Sequence, residues 1–406
     1  MLLGANNVFA QPGGLSNKVV KFDKAKFINS VKSSFDGKVK GYQVVLLNGG
    51  SVAAEYADGD ARNKADGQAD MTFNTPANIG STAKFFAGIA LLKLFTTPQG
   101  NPNGVSLDKQ LDSKIYYYLP NVWKNDIHPS WKDVTFRELL QHKSGVRSFT
   151  KAEVDALTAK GLKKNAYQYL LKELKPANRG VRKYENFNFT VLTYLIPMFA
   201  DQLMLQNINK EIYEKKVSPN DVYIQTRLGD AYEKYLRGEL FTKITPNINP
   251  SCDAPNEYPK QNKIFAPAYK SVSDLTKGFA YSERVTNGAC HAQGGWYISA
   301  RELAAFVANF TASETLIPNA VETKMFDDDN ANEMLVWSFT TSNKWVTDNF
   351  GMDAIPYMGG DHDPAHATIV KLPGGYHAVG IVNSDEMGSG TITNNIVSAF
   401  QASVSF

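Results

Sequence analysis

The sequence predicts an α+β protein in which an antiparallel sheet flanked by helices is joined to an inserted, mostly helical subdomain. Two observations support this fold class. β-Hairpin patterns occur near both ends of the chain, and helical patterns fill most of the region between them. The simplest arrangement is one sheet built from the two ends of the chain. We therefore predict a discontinuous sheet domain over residues 15–75 and 290–406 and a helical domain over residues 76–289.

The composition is that of a soluble globular protein. The chain has 406 residues, which exceeds the usual size of one domain and agrees with two subdomains. Hydrophobic residues make up 43% and charged residues 20%, and the net charge is only +3. Basic blocks interleaved with aromatic residues do not occur, so a nucleic-acid partner is not expected. The sequence also lacks a run of 18 apolar residues, which argues against a transmembrane segment.

Two features favour export to the periplasm or the extracellular space. Residues 1–14 are predicted to be a leader or signal remnant, because Val8-Phe-Ala10 resembles a small-residue cleavage site; the alternative is a disordered leader. Cys252 and Cys290 lie in one irregular region. In an exported protein they would form one disulfide, and otherwise they would be two ordinary buried thiols.

The spacing of apolar residues predicts the N-terminal elements. Apolar residues recur at helical spacing between Val20 and Val39, which predicts an amphipathic helix. Two β-favouring runs between Tyr42 and Tyr56 surround Asn48-Gly-Gly50, where the glycines accept the positive φ of a hairpin turn. Residues 58–67 then read as a loop.

The middle of the chain reads mainly as helix. Thr135 and Glu138 form a capping-box pattern, and Gly145 is the expected helix stop. Residues 151–175 and 189–240 carry helical patterns, with a break expected at Pro197. Residues 245–267, rich in proline and asparagine, are expected to form a long loop.

Strand patterns return near the C-terminus. Ser299 is the predicted cap of a helix that extends to Phe310. A second hairpin with a glycine-bearing turn is predicted between Ala367 and Asn383. A closing helix is predicted from Thr391 to Phe400.

The stretch from Phe73 to Leu94 places a hydroxyl and an amine one helical turn apart. Ser81 and Lys84 would share one face of a nearly all-round apolar helix, whose N-terminus offers free N–H groups to an anion. A lysine held there without much water favours its neutral form, which can take a proton from a serine. The alternative is a serine N-cap followed by a solvated lysine, which the long apolar run after Lys84 makes less expected.

Five motifs occur in a characteristic order along the chain. They are Ser81-Thr-Ala-Lys84, Thr135-Phe-Arg-Glu-Leu-Leu-Gln-His-Lys-Ser-Gly145, Tyr184-Glu-Asn186, Gly294-Gly-Trp-Tyr-Ile-Ser-Ala300 and Met358-Gly-Gly360. Together they resemble the serine hydrolase family of class C β-lactamases, D-alanyl-D-alanine carboxypeptidases and related esterases. The resemblance extends from about Gly41 to Asn383 and implies the β-lactamase/transpeptidase-like fold, which agrees with the architecture predicted above.

The resemblance also implies a role for each matching residue. Ser81 would be the acylated nucleophile, Lys84 the amine beside it, and Tyr184 the group that shares the proton with Lys84. Positive charge on Lys84 would favour a phenolate at Tyr184, so that the two groups titrate as a pair. Asn186 would hold the substrate oxygen and steady the lysine, and the backbone N–H of Asp361 would join that of Ser81 in an oxyanion hole. For Tyr184 and Asn186 the alternative is an ordinary tyrosine and a turn residue.

The first residue of the fifth motif departs from the family pattern. The strand motif of β-lactamases and carboxypeptidases usually begins with lysine or histidine, which attracts a carboxylate, whereas Met358 begins Met358-Gly359-Gly360 here. Carboxylate-bearing substrates should therefore bind more weakly. With a shifted alignment His362 would restore a cation and reverse this inference. His362 and His366 have a spacing of four residues without an evident third ligand, so a metal site is not expected.

These observations predict a serine hydrolase that cleaves an ester or amide through an acyl-enzyme on Ser81, with an esterase-like preference. Its expected partner is a small-molecule or peptide substrate, and no cofactor is expected. A D-Ala-D-Ala carboxypeptidase or β-lactamase on the same site is one alternative. A catalytically silent binding protein on this fold is an alternative of another class.

Overall fold

The computed structural model describes residues 20–218, 222–326, 334–339, 349, 356–362 and 364–405. The predicted leader, residues 1–14, lies outside this range. Among the described residues, no helix combines the length and the apolar character needed to cross a bilayer.

An antiparallel seven-stranded sheet is the centre of the fold, with strand order β4-β3-β2-β10-β9-β8-β7. β2 pairs with β10, so that Val45 lies opposite Val379. The N-terminal hairpin and the C-terminal strands therefore form one sheet, as predicted. Two small antiparallel pairs, β1 with β11 and β5 with β6, complete the strand pairing. The strands are β1 (Lys21–Phe22), β2 (Gly41–Asn48), β3 (Ser51–Arg62), β4 (Ala69–Asp70), β5 (Ala77–Asn78), β6 (Tyr297–Ile298), β7 (Ser338–Phe339), β8 (Pro356–His362), β9 (Ala365–Leu372), β10 (Tyr376–Val382) and β11 (Val404–Ser405).

Helices occupy most of the chain between β5 and β6, and others flank the sheet. The domain bounds at residues 75/76 and 289/290 stay a prediction. The helices are α1 (Lys24–Phe35), α2 (Lys84–Thr96), α3 (Leu107–Leu111), α4 (Asn121–Lys124), α5 (Phe136–Leu140), α6 (Lys151–Ala159), α7 (Ala166–Leu170), α8 (Phe187–Thr190), α9 (Leu192–Ala200), α10 (Gln202–Glu214), α11 (Val222–Leu236), α12 (Ala254–Glu257), α13 (Glu283–Asn287), α14 (Ala300–Thr311), α15 (Asn319–Phe326) and α16 (Ser389–Ser403).

The sheet is buried on both faces. Side chains alternate along a strand, and in β2 Val44 and Leu46 join one apolar cluster with residues of α1 and α16. Val45 joins the larger cluster on the other face, which includes α2 and most of the inserted helices. The sheet thus separates two cores.

Helix α2 passes through the larger core, as its all-round apolar sequence predicts. Almost all its residues are buried. Phe85 and Phe86 pack edge-to-face on Phe306 of α14, with ring centroids 5.6 and 4.9 Å apart. The helix that begins at Lys84 is therefore fixed along its length by packing.

Three predicted boundaries are wrong, each because tertiary contacts override local sequence. Helix α5 has the predicted capping box but ends at Leu140 instead of Gly145, because His142 adopts a left-handed φ of 57°. Helix α9 continues through Pro197, since burial of its neighbours offsets the hydrogen bond that proline cannot donate. Strand β3 continues to Arg62 through the expected loop because it pairs with β4.

Strand β8 holds the turn that precedes α2. A Cβ atom on Gly360 would lie 2.2 Å from the carbonyl oxygen of Ile79 and 2.3 Å from the backbone nitrogen of Thr82. The Thr82 hydroxyl donates to the carbonyl of Ala367 at 3.2 Å. Only glycine allows this approach, so the strand and the turn have one relative position.

We expect Gly360→Ala to lower the free energy of unfolding by about 1–3 kcal/mol, because overpacking against backbone atoms forces the turn and the strand apart. Gly390→Ala is the matched control. Gly390 lies in α16 with open space around its Cα, and alanine should stabilise the helix by at most about 1 kcal/mol. Urea denaturation of both variants measures the difference. Equal stability of Gly360→Ala and the parent protein would contradict this packing.

Candidate active site

Ser81 lies in a 3-10 turn, Gly80–Ala83, that leads directly into α2. Gly80 has a positive φ of 49°, and a Cβ atom there would lie 3.0 Å from backbone carbons of Gly360 and Asp361. The side chain of Asn78 accepts a hydrogen bond from the Gly80 N–H at 2.8 Å. The turn is therefore held by the side chain of Asn78 just before it and by the backbone of strand β8.

Lys84 lies one turn after Ser81 and is only 2% exposed. Its Nζ donates to Ser81 Oγ at 2.8 Å, to Asn186 Oδ1 at 2.8 Å and to the carbonyl of Gln293 at 2.5 Å. Burial lowers the pKa of Lys84 to about 7, although the charge of Glu283 raises it. Burial therefore makes the neutral amine accessible at a much lower pH than in an exposed lysine.

Tyr184 covers the other side of the Ser81 hydroxyl. Tyr184 is 52% exposed, but its hydroxyl oxygen lies 2.5 Å from Ser81 Oγ. Burial of this end raises the pKa of Tyr184; the Ser81 hydrogen bond lowers it and the charge of Asp361 raises it further. Tyr184 is therefore a phenol near neutral pH.

The expected stabilisation of a Tyr184 phenolate by Lys84 is not what this environment favours. Desolvation disfavours the charged form of both groups, so it shifts the pKa of Lys84 down and that of Tyr184 up. The pair that results is a neutral amine and a neutral phenol.

Asn186 joins these two groups. Its Oδ1 accepts from Lys84 and, at 3.2 Å, from the Tyr184 hydroxyl. The amide NH2 is then the end that can donate to a substrate oxygen.

The ring of His142 lies 4.7 Å from that of Tyr184, and burial lowers the pKa of His142 to about 3, so it packs as a neutral ring.

Strand β8 presents alternate residues to the site. Gly360 contacts the Ser81 turn, and Met358 and His362 share its face by the two-residue period of a strand. Met358 is 5% exposed and belongs to the large core. The backbone nitrogen of Asp361 lies 3.1 Å from where a Cβ atom on Gly80 would be, beside the residue that precedes Ser81.

The opposite face of β8 contacts α16. A Cβ atom on Gly359 would lie 2.6 Å from the hydroxyl of Ser389. The carboxylate of Asp361 accepts from the N–H and the hydroxyl of Ser389 at 2.7 and 2.9 Å. The side chain of Asp361 thus anchors the strand to the N-terminus of α16, while its backbone faces the site.

The two histidines of this hairpin have different surroundings. The ring of His362 lies 4.4 Å from that of Tyr281, edge to face. His366 lies between two carboxylates, with Nδ1 2.7 Å from Asp361 and Nε2 3.1 Å from Asp385. Burial lowers the pKa of His366, but the two carboxylates outweigh that effect and raise it overall.

Three groups near the amine were missed by sequence reasoning. The carbonyl of Gln293 binds Lys84, and its side-chain oxygen accepts from Thr190 at 2.7 Å. Glu283 and His291 are buried behind this segment. The nearby Gly294-Gly-Trp motif indicated the segment, but no local pattern marked Glu283, which lies ten residues before Gln293.

Cys252 and Cys290 lie within disulfide-bonding distance, with Cα atoms 5.5 Å apart. Both are fully buried. Such a bond would connect the start of the segment containing α12 to the segment that carries His291 and Gln293.

Comparison with known proteins identifies one family and one fold. The family model described as Beta-lactamase matches residues 26–400. A search of curated protein sequences gives no match.

Solved structures of low sequence identity share the fold, which is the β-lactamase/transpeptidase-like fold. The octameric penicillin-binding protein homologue from Pyrococcus abyssi is 17% identical with a TM-score of 0.63, over 93% of this chain and 77% of that chain. A class C β-lactamase from Rhodobacter sphaeroides is 17% identical with a TM-score of 0.59, over 92% and 98%. A D-stereospecific amidohydrolase from a Streptomyces species is 18% identical with a TM-score of 0.55, over 93% and 98%.

We expect the contribution of His366 to stability to fall as the pH rises. Folding raises its pKa above the unfolded value of about 6.5. Its contribution to the free energy of unfolding is therefore complete below about pH 6.5 and is lost as the pH rises through the folded-state pKa. His366→Gln should lower the free energy of unfolding by about 1 kcal/mol at pH 5.5, since both carboxylates are half exposed, and by less at pH 9.

His377→Gln is the control for that measurement, made by urea denaturation. Burial lowers the pKa of His377 to about 3, so its contribution should instead grow as the pH rises through about 6.5. A loss in His366→Gln that is constant or grows with pH would contradict the ion-paired state of His366.

Proposed function

Since the chain belongs to the Beta-lactamase family, whose members are serine hydrolases, we propose that it cleaves an ester or amide through an acyl-enzyme on Ser81. One observation carries this proposal. The Oγ atom of Ser81 lies within hydrogen-bonding distance of both the Lys84 amine and the Tyr184 hydroxyl, at 2.8 and 2.5 Å. A nucleophile between a base and an acid has the partners that acyl transfer requires.

The first step uses the neutral form of Lys84. Its lone pair accepts the proton of Ser81 as Oγ forms a bond to the substrate carbonyl carbon. The negative charge then moves to the carbonyl oxygen, which the backbone N–H groups of Ser81 and Asp361 would stabilise. The position of the Asp361 nitrogen beside Gly80 supports this pairing.

Tyr184 would then complete the transfer of the proton. Its hydroxyl protonates the leaving oxygen or nitrogen as the carbonyl re-forms and the bond to the carbonyl carbon breaks, and Lys84 passes the proton that it took from Ser81 to the Tyr184 oxygen. Asn186, which accepts from both groups, keeps them in reach of one another. Water then attacks the acyl carbon and gives up a proton to the same pair of groups. The bond from the acyl carbon to Oγ breaks, and the proton restores the Ser81 hydroxyl.

The surroundings of Gly360 favour neutral substrates. Met358 places a buried thioether, not an ammonium group, on the site face of β8. A charge-assisted hydrogen bond to a substrate carboxylate contributes about 1–3 kcal/mol, and methionine cannot supply it. We therefore propose an esterase-like preference.

A D-Ala-D-Ala carboxypeptidase or β-lactamase activity is the second candidate. His362 favours it, because His362 lies on the same face of β8 as Gly360 and carries an imidazole. A protonated imidazole there would attract the carboxylate of a peptide terminus or a penicillin. A catalytically silent binding protein is the remaining alternative.

We also propose that the protein is exported. The cysteine pair at disulfide-bonding distance supports this proposal, because such bonds form and persist in oxidising compartments.

Labelling with a fluorophosphonate probe, located by mass spectrometry, tests the nucleophile. We expect the label on Ser81, no label in Ser81→Ala, and labelling at least about 100-fold slower in Lys84→Met, because a general base contributes about 10²–10⁴-fold. Lys93→Met is the control, since Lys93 lies in the same helix but binds the carbonyl of Glu239. Labelling that survives in Ser81→Ala would exclude Ser81 as the nucleophile, and a folded but unlabelled parent protein would favour the silent binding protein.

Three substrates separate the two enzymatic candidates. We expect kcat/KM for a neutral nitrophenyl ester to exceed that for nitrocefin and for a peptide ending in D-Ala-D-Ala, because both of these carry a carboxylate. Met358→Lys should raise the activity on the two carboxylate substrates relative to the ester. Nitrocefin turnover far above ester turnover in the parent protein would overturn the esterase preference.

A further inference from the structure

A buried carboxyl group lies behind the Lys84 amine. Glu283 is the first residue of α13 and is only 2% exposed. A carboxylate is almost never buried without a partner, because it loses its hydration. The groups around Glu283 therefore indicate what it does.

The side chain of Glu283 is held closely on several sides. A Cβ atom on Gly295 would lie 2.3 Å from its Cγ, so the loop before β6 packs directly on it. The side chain of Asn287 donates to Oε2 at 2.5 Å, and Nδ1 of His291 lies 3.9 Å from the same oxygen. Gln293 and Tyr281 also form side-chain hydrogen bonds with it.

The same loop connects Glu283 to Lys84. The carbonyl of Gln293 accepts from Lys84 Nζ at 2.5 Å, while its side chain bonds to Glu283 and Thr190. Opposite charges at this depth interact strongly because little water screens them. Burial lowers the pKa of Lys84 and raises that of Glu283, each to about 7, and the charge of each group opposes the shift of the other.

The histidines and tyrosines near the two are neutral around pH 7, and the charged neighbours are Asp361, which acts on Tyr184, and Arg182, which acts on His142. Burial lowers the pKa of His291 to about 4, and burial and the charge of Lys84 lower that of His142 to about 3. Burial raises the pKa of each neighbouring tyrosine. These tyrosines are Tyr184 beside Lys84, and Tyr194 and Tyr281 beside Glu283.

We propose that Glu283 is a positioning residue that acts as the buried counter-ion of Lys84, so that its charge sets the lower pH limit for activation of Ser81. Together, the Lys84 amine and the Glu283 carboxyl group bind two titratable protons at acid pH, share one near neutral pH and bind none at alkaline pH. Without the carboxylate, burial alone would favour the neutral amine at lower pH. This inference rests on the proposed function, in which neutral Lys84 activates Ser81.

The test is the pH dependence of Ser81 labelling by a fluorophosphonate in Glu283→Gln. Glutamine keeps the size of the side chain and one accepting oxygen but removes its charge, so the acid limb of the profile should move down by at least about one pH unit. At a fixed pH on the acid limb, the labelling rate of the variant, divided by its own plateau rate, should then be about tenfold higher than the same ratio for the parent protein. Glu283→Asp should restore the limb to within about half a unit of the parent.

Glu322→Gln is the matched control, because Glu322 is also a largely buried carboxyl group but pairs with Lys371 at 3.3 Å. Its profile should follow that of the parent protein. A folded Glu283→Gln variant whose acid limb coincides with the parent limb would overturn the inference and leave Ser81 as the nucleophile. Failure to label Ser81 at any pH would instead overturn the proposed function.

A second measurement uses the parent protein alone and so does not depend on the folding of a variant. NMR of protein labelled with ¹³C in its lysine and glutamate side chains follows Lys84 Cε and Glu283 Cδ, assigned with Lys84→Met and Glu283→Asp. We expect both signals to change in the same pH range around neutrality. Separate midpoints near the ordinary values of about 10.4 and 4.3 would overturn the inference.

Discussion

The removal of the Lys84 amine from water is the constraint on which the site depends. An ammonium group at the start of an apolar helix loses its hydration, and three oxygen acceptors replace only part of it. The structure can retain this unfavourable position because α2 is packed by aromatic side chains along its length. In the proposed mechanism, the stability of the core thus keeps the Lys84 amine in the state that activates Ser81.

The remaining parts of the site are positioned by elements far apart in sequence. Strand β8 contributes Gly360, the segment before α8 contributes Tyr184 and Asn186, and the loop before β6 contributes the Gln293 carbonyl. Gly360 of the strand and Gly294 of the loop let these two backbones approach the turn that carries Ser81. Precision here comes from the close packing of backbone on backbone.

Sequence reasoning was sufficient where local chemistry determines structure. The hairpin at Gly49-Gly50, the capping box at Thr135, the helix cap at Ser299 and the apolar helix α2 all follow from residues within a few positions of one another. It failed where partners are distant, as at Pro197 or where β3 pairs with β4. Glu283 could not be predicted for the same reason. Its role depends on buried groups that the fold brings around it, and a single glutamate in the sequence does not indicate them.

The pairing of β2 with β10 has a consequence for how the chain folds. Residues near 45 form their hydrogen bonds with residues near 379, and β1 near the start of the described chain pairs with β11 near its end. Contacts of such large sequence separation require the closure of a very long loop, which makes folding slow. Until the last strands arrive, β2 presents an open apolar edge that other chains can pair with. Assembly of the central sheet is therefore a late event, and an incomplete chain is prone to aggregate.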